Sequence, residues 1–127
     1  MTIYAVDISG SMHEAVNEAI GDMRTRVAAD DTIILFTGSL HIHRNAGAFL
    51  RDPEIPPMGV AEMRDLYAWV AANAPGADLF VYSDGGMNEQ HARIDAGRTF
   101  IMVVSTPVSN DLQRTFPGAR LVPYADW

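Results

Sequence analysis

The stretch VDISGSM, from Val6 to Met12, ends the first apolar run of the chain and places side-chain oxygens at alternate positions: Asp7, Ser9 and Ser11. The run at residues 3–8 has the length and composition of a buried strand. A carboxylate at the end of a buried strand costs several kcal/mol if it has no partner. We therefore expect Asp7 to belong either to a binding site or to a hydrogen-bonded network.

Apolar runs and helical spacings alternate along the rest of the chain. A four, three, four spacing of apolar residues predicts a helix between strands at residues 3–8 and 32–37. The remaining patterns predict strands at 40–44, 79–82, 99–104 and 119–122, helices at 60–72, 89–96 and 110–116, and a proline-rich loop at 53–57. This alternation predicts an α/β fold, with a mainly parallel sheet covered by helices on both faces and residues 40–44 as a hairpin partner at its edge.

Length and composition predict a single domain, residues 1–127, without disulfides, because the chain has 127 residues, no cysteine and no linker-like segment. The net charge of −7, with nine scattered arginines as the positive residues, argues against nucleic acid as a partner. The sequence shows neither a membrane-spanning run nor a signal peptide, so we expect a cytoplasmic protein that does not bind membranes.

A second polar motif follows the predicted strand at residues 79–82 and contains Asp84. Ligands of open α/β sheets bind beyond the carboxyl ends of the strands, so Asp7 and Asp84 are predicted to face one crevice. Mg²⁺ prefers oxygen ligands and retains several waters, so one or two carboxylates with hydroxyls suffice to hold it. Asp7, Ser9 and Ser11 offer this mixture of oxygen ligands.

The two motifs together resemble a known family. The sequence DISGS at residues 7–11 is similar to the D-x-S-x-S signature of von Willebrand factor type A domains, and SDG at residues 83–85 is similar to their later T/S-D-G motif. The resemblance implies a Rossmann-like, doubly wound sheet with one antiparallel edge strand. It also implies a metal-ion-dependent adhesion site whose predicted ligands are Asp7, Ser9, Ser11 and Asp84. In such a site the serines ligate directly, the first aspartate often acts through water, and Asp84 approaches from the third loop.

One part of the family pattern is missing, because the middle loop normally adds a threonine and no Ser or Thr occurs between Ser39 and Ser83. The nearest segment, at residues 58–60, has no side-chain oxygen. Water, a main-chain carbonyl, Glu62 or Asp65 are the candidate replacements.

The expected function is protein binding rather than catalysis. The sequence has no G-x-S-x-G, phosphate-loop or G-x-G-x-x-G motif, and no histidine base in the same loop as the serines. The resemblance implies a module that presents Mg²⁺, or Mn²⁺ or Ca²⁺, to an Asp or Glu of a partner protein, as an adaptor or as a subunit of a larger bacterial or phage assembly. The surface expected to contact that partner comprises His13, Met58, Gly85 and Gly86.

Other interpretations compete at each position. Ser11 and Glu14 form a capping-box pattern, Asp84 fits an ordinary turn, and Asp7 fits a structural network. A phosphohydrolase with Asp7 as nucleophile is the alternative enzyme, although Ser9 stands where its second catalytic aspartate is expected. A third alternative is a metal-free domain that binds by shape.

Two histidines, His41 and His43, would share one face of the predicted edge strand. That spacing is compatible with zinc, but a solvated strand face is the commoner explanation.

Overall fold

The computed structural model describes residues 2–85, 98–104 and 110–127. Within these residues, six strands form one sheet: β1 (Thr2–Asp7), β2 (Thr32–Phe36), β3 (Leu40–His43), β4 (Asp78–Ser83), β5 (Thr99–Val103) and β6 (Arg120–Val122). The helices of the same residues are α1 (Val16–Arg26), α2 (Ala46–Arg51), α3 (Met63–Asn73) and α4 (Asn110–Thr115), with 3₁₀ turns at Gly10–Met12 and Tyr124–Asp126.

The strand order is β3-β2-β1-β4-β5-β6, and each neighbouring pair is parallel except β2 with β3, which is antiparallel. This arrangement confirms the predicted α/β, Rossmann-like sheet with an antiparallel edge strand. From β1 the chain continues to β2 and β3 on one side of β1 in the sheet, and it then crosses to β4 on the other side of β1. The order therefore reverses between β1 and β4, which is where open α/β sheets bind ligands.

Two hydrophobic clusters cover the two faces of the sheet because side chains alternate along each strand. In β1, Ile3 and Ala5 pack with α3 and α4, whereas Tyr4 and Val6 pack with α1 and α2. We call these two sides the α3 face and the α1 face. Helices therefore lie on both faces, as predicted.

Within the described residues, most predicted bounds agree with the structure to one residue, and two differences are larger. Helix α2 was not predicted, and it begins after Asn45, whose side chain accepts a hydrogen bond from the Ala48 amide. Helix α3 begins at Met63 instead of at residue 60, because the preceding residues approach the end of β1. The helix predicted at 89–96 lies outside the described residues.

None of the helices in the described segments is long and apolar enough to span a bilayer.

Candidate functional site

Asp7 is the last residue of β1, and it is fully buried. Its Oδ1 accepts a hydrogen bond of 2.8 Å from the Ser9 amide, and its Oδ2 accepts one of 2.8 Å from the Ser83 hydroxyl. The Ser83 hydroxyl in turn accepts the Gly85 amide at 3.0 Å. The buried carboxyl thus connects the loop after β1 with the loop after β4, at the place where the strand order reverses.

Burial raises the pKa of Asp7, and the nearby charge of Asp84 raises it further, while hydrogen bonds from Ser83 and Ser9 lower it. The net direction is upward, so the protein disfavours the ionised carboxyl in the absence of a positive charge. A cation beside Asp7 would stabilise the ionised form by direct electrostatic attraction.

The first loop gathers two hydroxyls beside this carboxyl. The Ser9 and Ser11 oxygens lie 3.1 Å apart, with Ser9 buried and Ser11 exposed in the 3₁₀ turn. The alternative interpretation of Ser11 and Glu14 as a capping box is wrong, because the 3₁₀ turn displaces the start of α1 and the N-cap residue of α1 is Ala15. Ser11 is therefore not used as a helix cap.

The middle segment, Met58 to Val60, lies against the end of β1. Gly59 forms a parallel bridge with Ser9, and its amide donates to the Ile8 carbonyl at 3.0 Å. Met58 packs partly against the α1-face cluster, and Val60 is 67% exposed. The main chain of Gly59 thus occupies the place nearest Ser9, without a side-chain oxygen.

The remaining predicted site residues have different surroundings. His13 is exposed directly after the 3₁₀ turn, and Asp84 is partly exposed directly after β4. Gly85 has a φ of +81° and lies tightly against Leu112 of α4, so this glycine is required by the backbone and by packing. Gly86 lies outside the described residues.

The two proposed replacements for the missing threonine lie at the start of α3. Glu62 is the N-cap residue, with its carboxylate 3.8 Å from the Arg64 guanidinium, and Asp65 is exposed in the first turn.

The two edge-strand histidines are half-buried, and the His43 ring packs on Phe49 with ring centres 4.6 Å apart. Burial lowers the pKa of His43, and the neighbouring His41 lowers it further. Across residues 2–85, 98–104 and 110–127, no group of three or more His, Cys, Asp or Glu side chains is placed to hold a metal ion. A site at Asp7 would instead consist of carboxylates and serine hydroxyls.

Comparisons of the sequence with protein-family models and with curated proteins give no match.

Sequence reasoning did not identify two contributors to this site, the Ser83 hydroxyl and the main chain of Gly59. The sequence places Ser83 in the SDG motif at residues 83–85. Its role as hydrogen-bond donor to Asp7 depends on the pairing of β1 with β4, which joins residues 76 apart in the chain. The place of Gly59 beside Ser9 also depends on tertiary structure. One sequence feature could have identified Ser83: it ends an apolar run, as Asp7 does, and the two runs form the paired strands β4 and β1.

Proposed function

We propose that this protein is a von Willebrand type A-like, metal-dependent protein-binding module. Asp7, Ser9, Ser11 and Asp84 would hold a Mg²⁺-type cation, and an Asp or Glu of a partner would complete its coordination. The observation that carries the proposal is the buried Asp7 carboxyl, fixed between the two loops at the point where the strand order reverses.

The donor set fits a hard cation. The Ser9 and Ser11 hydroxyls are neutral oxygen donors, and the carboxylates of Asp7 and Asp84 supply negative charge. Asp7 is fully buried and both of its oxygens already accept protein hydrogen bonds, which suits a role through its charge. When bound, the cation would supply positive charge and an exchangeable position for a partner carboxylate.

The same hydrogen bonds favour binding over phosphoryl transfer. A nucleophilic carboxylate needs an oxygen that is accessible to the substrate. Asp7 has no exposed surface, and each of its oxygens accepts a hydrogen bond of 2.8 Å. An adaptor or assembly subunit therefore remains our proposal, with a phosphohydrolase as the alternative.

The test is metal-dependent stabilisation. At 100 times its dissociation constant, Mg²⁺ should stabilise the wild type by about 2.7 kcal/mol, roughly 10 °C in the melting midpoint of a domain this size. We expect Asp7→Ala and Ser11→Ala to lose most of this shift. Ser39→Ala is the matched control, because Ser39 is also exposed and lies in the β2–β3 connection at the same end of the sheet.

Thermal melts with Mg²⁺, with Mn²⁺ and with chelator give the answer. A wild-type midpoint that is identical under all three conditions would overturn the metal site. An equal shift in Asp7→Ala would place the cation elsewhere.

The preference for an acidic partner needs its own measurement. Two peptides that differ only in having Asp or Asn at one position provide the comparison. We expect the Asp peptide to bind more tightly than the Asn peptide in Mg²⁺, and the two to bind equally in chelator. Equal binding of both members in Mg²⁺ would contradict recognition of a carboxylate.

A further inference from the structure

Tyr82 and Ser83 are consecutive residues of β4 that face opposite sides of the sheet. Ser83 donates to Asp7 in the candidate site. On the α1 face, the hydroxyl of Tyr82 donates to Oδ2 of Asp22, in the middle of α1, at 2.5 Å. The end of β4 is therefore held from both faces, by the site on one and by α1 on the other.

The surroundings of this hydrogen bond fix both partners. Tyr82 is fully buried, and the ring of Trp127 packs against it edge-on, with ring centres 5.3 Å apart. The Asp22 side chain is 9% exposed, and its Oδ2 also accepts the Arg26 Nε at 2.7 Å. Burial and the hydrogen bond to Asp22 raise the pKa of Tyr82, so its hydroxyl keeps the proton that it donates.

The Tyr82–Asp22 hydrogen bond joins the two elements that lie next to the candidate site in the chain. Helix α1 follows the loop that carries Ser9 and Ser11, and β4 leads directly into Asp84. The Tyr82–Asp22 hydrogen bond joins positions 60 residues apart in the chain. It therefore ties α1, which follows the segment of Ser9 and Ser11, to β4, which directly precedes Asp84.

We infer that Tyr82 and Asp22 are positioning residues of the candidate metal site, which hold α1 against β4 and so set the spacing between the first-loop serines and Asp84. This inference rests on the proposed metal-binding function. Neither side chain belongs to the proposed ligand set, so each would act through the backbone of the element that carries it.

The test uses Tyr82→Phe and Asp22→Asn, with Tyr4→Phe as the matched control. Tyr4 is a buried tyrosine on the same face of the neighbouring strand, and its ring packs on Phe80 with ring centres 5.2 Å apart. In the parallel register it lies two residues before Val6, the partner of Tyr82, and so farther from the site. All three changes alter a polar group with little change of shape.

The first readout is the Mn²⁺ dissociation constant, measured by calorimetry well below the melting temperature. Residues that support metal ligands typically contribute about tenfold or more to affinity, so we expect Tyr82→Phe and Asp22→Asn to bind Mn²⁺ about tenfold more weakly. Tyr4→Phe should bind like the wild type. A purely structural role would lower the melting temperature of the variants and leave the Mn²⁺ affinity unchanged, which would overturn the inference.

The second readout separates this inference from the proposed function, because it needs no metal. The Ser9 amide donates to Asp7 and the Gly85 amide donates to Ser83, and Ser83 in turn donates to Asp7. Hydrogen exchange of these two amides therefore reports how firmly each loop is held on the Asp7–Ser83 pair. If the wild type binds no Mn²⁺, the proposed function fails. Hydrogen exchange of the two amides then tests whether Tyr82 and Asp22 position the two loops. Faster exchange of these two amides in Tyr82→Phe, but not in Tyr4→Phe, supports it, and unchanged exchange overturns it.

Discussion

Asp7 combines a fully buried carboxyl with two accepted hydrogen bonds, from the Ser9 amide and the Ser83 hydroxyl. These two bonds compensate only part of the cost of burying the charge, because the pKa of Asp7 is still raised. A group whose folded pKa is raised favours folding at acid pH, and this contribution is lost as the pH rises above its ordinary value of 3.8. At neutral pH without metal, the charge of Asp7 therefore opposes folding.

Exchanging Asp7 for asparagine removes this charge and keeps an oxygen for the Ser9 amide and an NH₂ group for the Ser83 hydroxyl. In chelator at pH 7, we expect Asp7→Asn to be at least as stable as the wild type, with its advantage shrinking toward pH 4. Asp7→Ala should lose about 1–3 kcal/mol, because buried donors lose their acceptor. Urea unfolding across this pH range measures all three proteins, and a neutral-pH loss in Asp7→Asn comparable to that of Asp7→Ala would contradict the argument.

Gly59 offers a way to add the hydroxyl that the middle segment lacks. A Cβ built at this position meets only the Thr37 Cβ at 3.7 Å, which is an ordinary contact. We expect Gly59→Thr to fold and to bind Mg²⁺ about tenfold more tightly, or ~1.4 kcal/mol. The exposed Gly38, whose built Cβ faces the Val60 carbonyl at 4.0 Å, supplies the control Gly38→Thr. Calorimetric titration compares them, and equal affinities in both variants and the wild type would show that residue 59 does not face the cation.

At the scale of elements, the loop after β4 is joined to α4 through one close approach. Gly85 has a φ of +81°, and a Cβ there would lie 2.1 Å from Cδ1 of Leu112. Gly118 has the same φ of +81°, but nothing lies within 4 Å of its built Cβ. The two glycines therefore separate backbone strain from side-chain crowding.

We expect Gly118→Ala to cost about 1 kcal/mol from the left-handed backbone alone. Gly85→Ala should cost about 2–4 kcal/mol, since Leu112 must also move. Combining Gly85→Ala with Leu112→Ala should remove the crowding part, so that the two changes together cost less than the sum of their separate effects. Denaturant unfolding of the four variants, with Leu112→Ala alone among them, gives these costs, and equal costs for the two glycine variants would contradict the close approach.

Local sequence patterns predicted the elements well where apolar runs were continuous. The strand predicted at residues 32–37 is β2 (Thr32–Phe36), and the one predicted at 99–104 is β5 (Thr99–Val103). Helix α2 was missed because its six residues hold only one set of apolar positions at helical spacing, Ala46, Phe49 and Leu50, although Asn45 was a usable cap signal. The places of Asp7 and Asp84 at the ends of β1 and β4 could be predicted from the apolar runs that precede them, whereas the Tyr82–Asp22 hydrogen bond depends on packing between distant segments.

At the scale of the whole molecule, the sheet separates two hydrophobic clusters. Val70 of α3 belongs to the cluster on the α3 face, and Ile20 of α1 belongs to the one on the α1 face. The sheet lies between them, so changes in one cluster leave the packing of the other intact.

Deleting methyl groups on opposite faces should therefore give additive losses. We expect about 2 kcal/mol for Val70→Ala and about 1 kcal/mol for Ile20→Val, and their sum within about 0.5 kcal/mol for the double variant. Urea unfolding of the four proteins provides the comparison. A difference of more than about 0.5 kcal/mol between the double variant and the sum of the single variants would mean that a change in one cluster alters the packing of the other.

The pairing of β1 with β4 also has a consequence for synthesis on the ribosome. The Asp7 carboxyl can accept its hydrogen bond from Ser83 only after 76 more residues have been synthesised. In the sheet, β1 lies between β2 and β4. Contacts of such large sequence separation form late, because a long loop must close first. The nascent chain thus completes the surroundings of Asp7 only after β4 has emerged, so binding at this place would report that the central pair of strands has assembled.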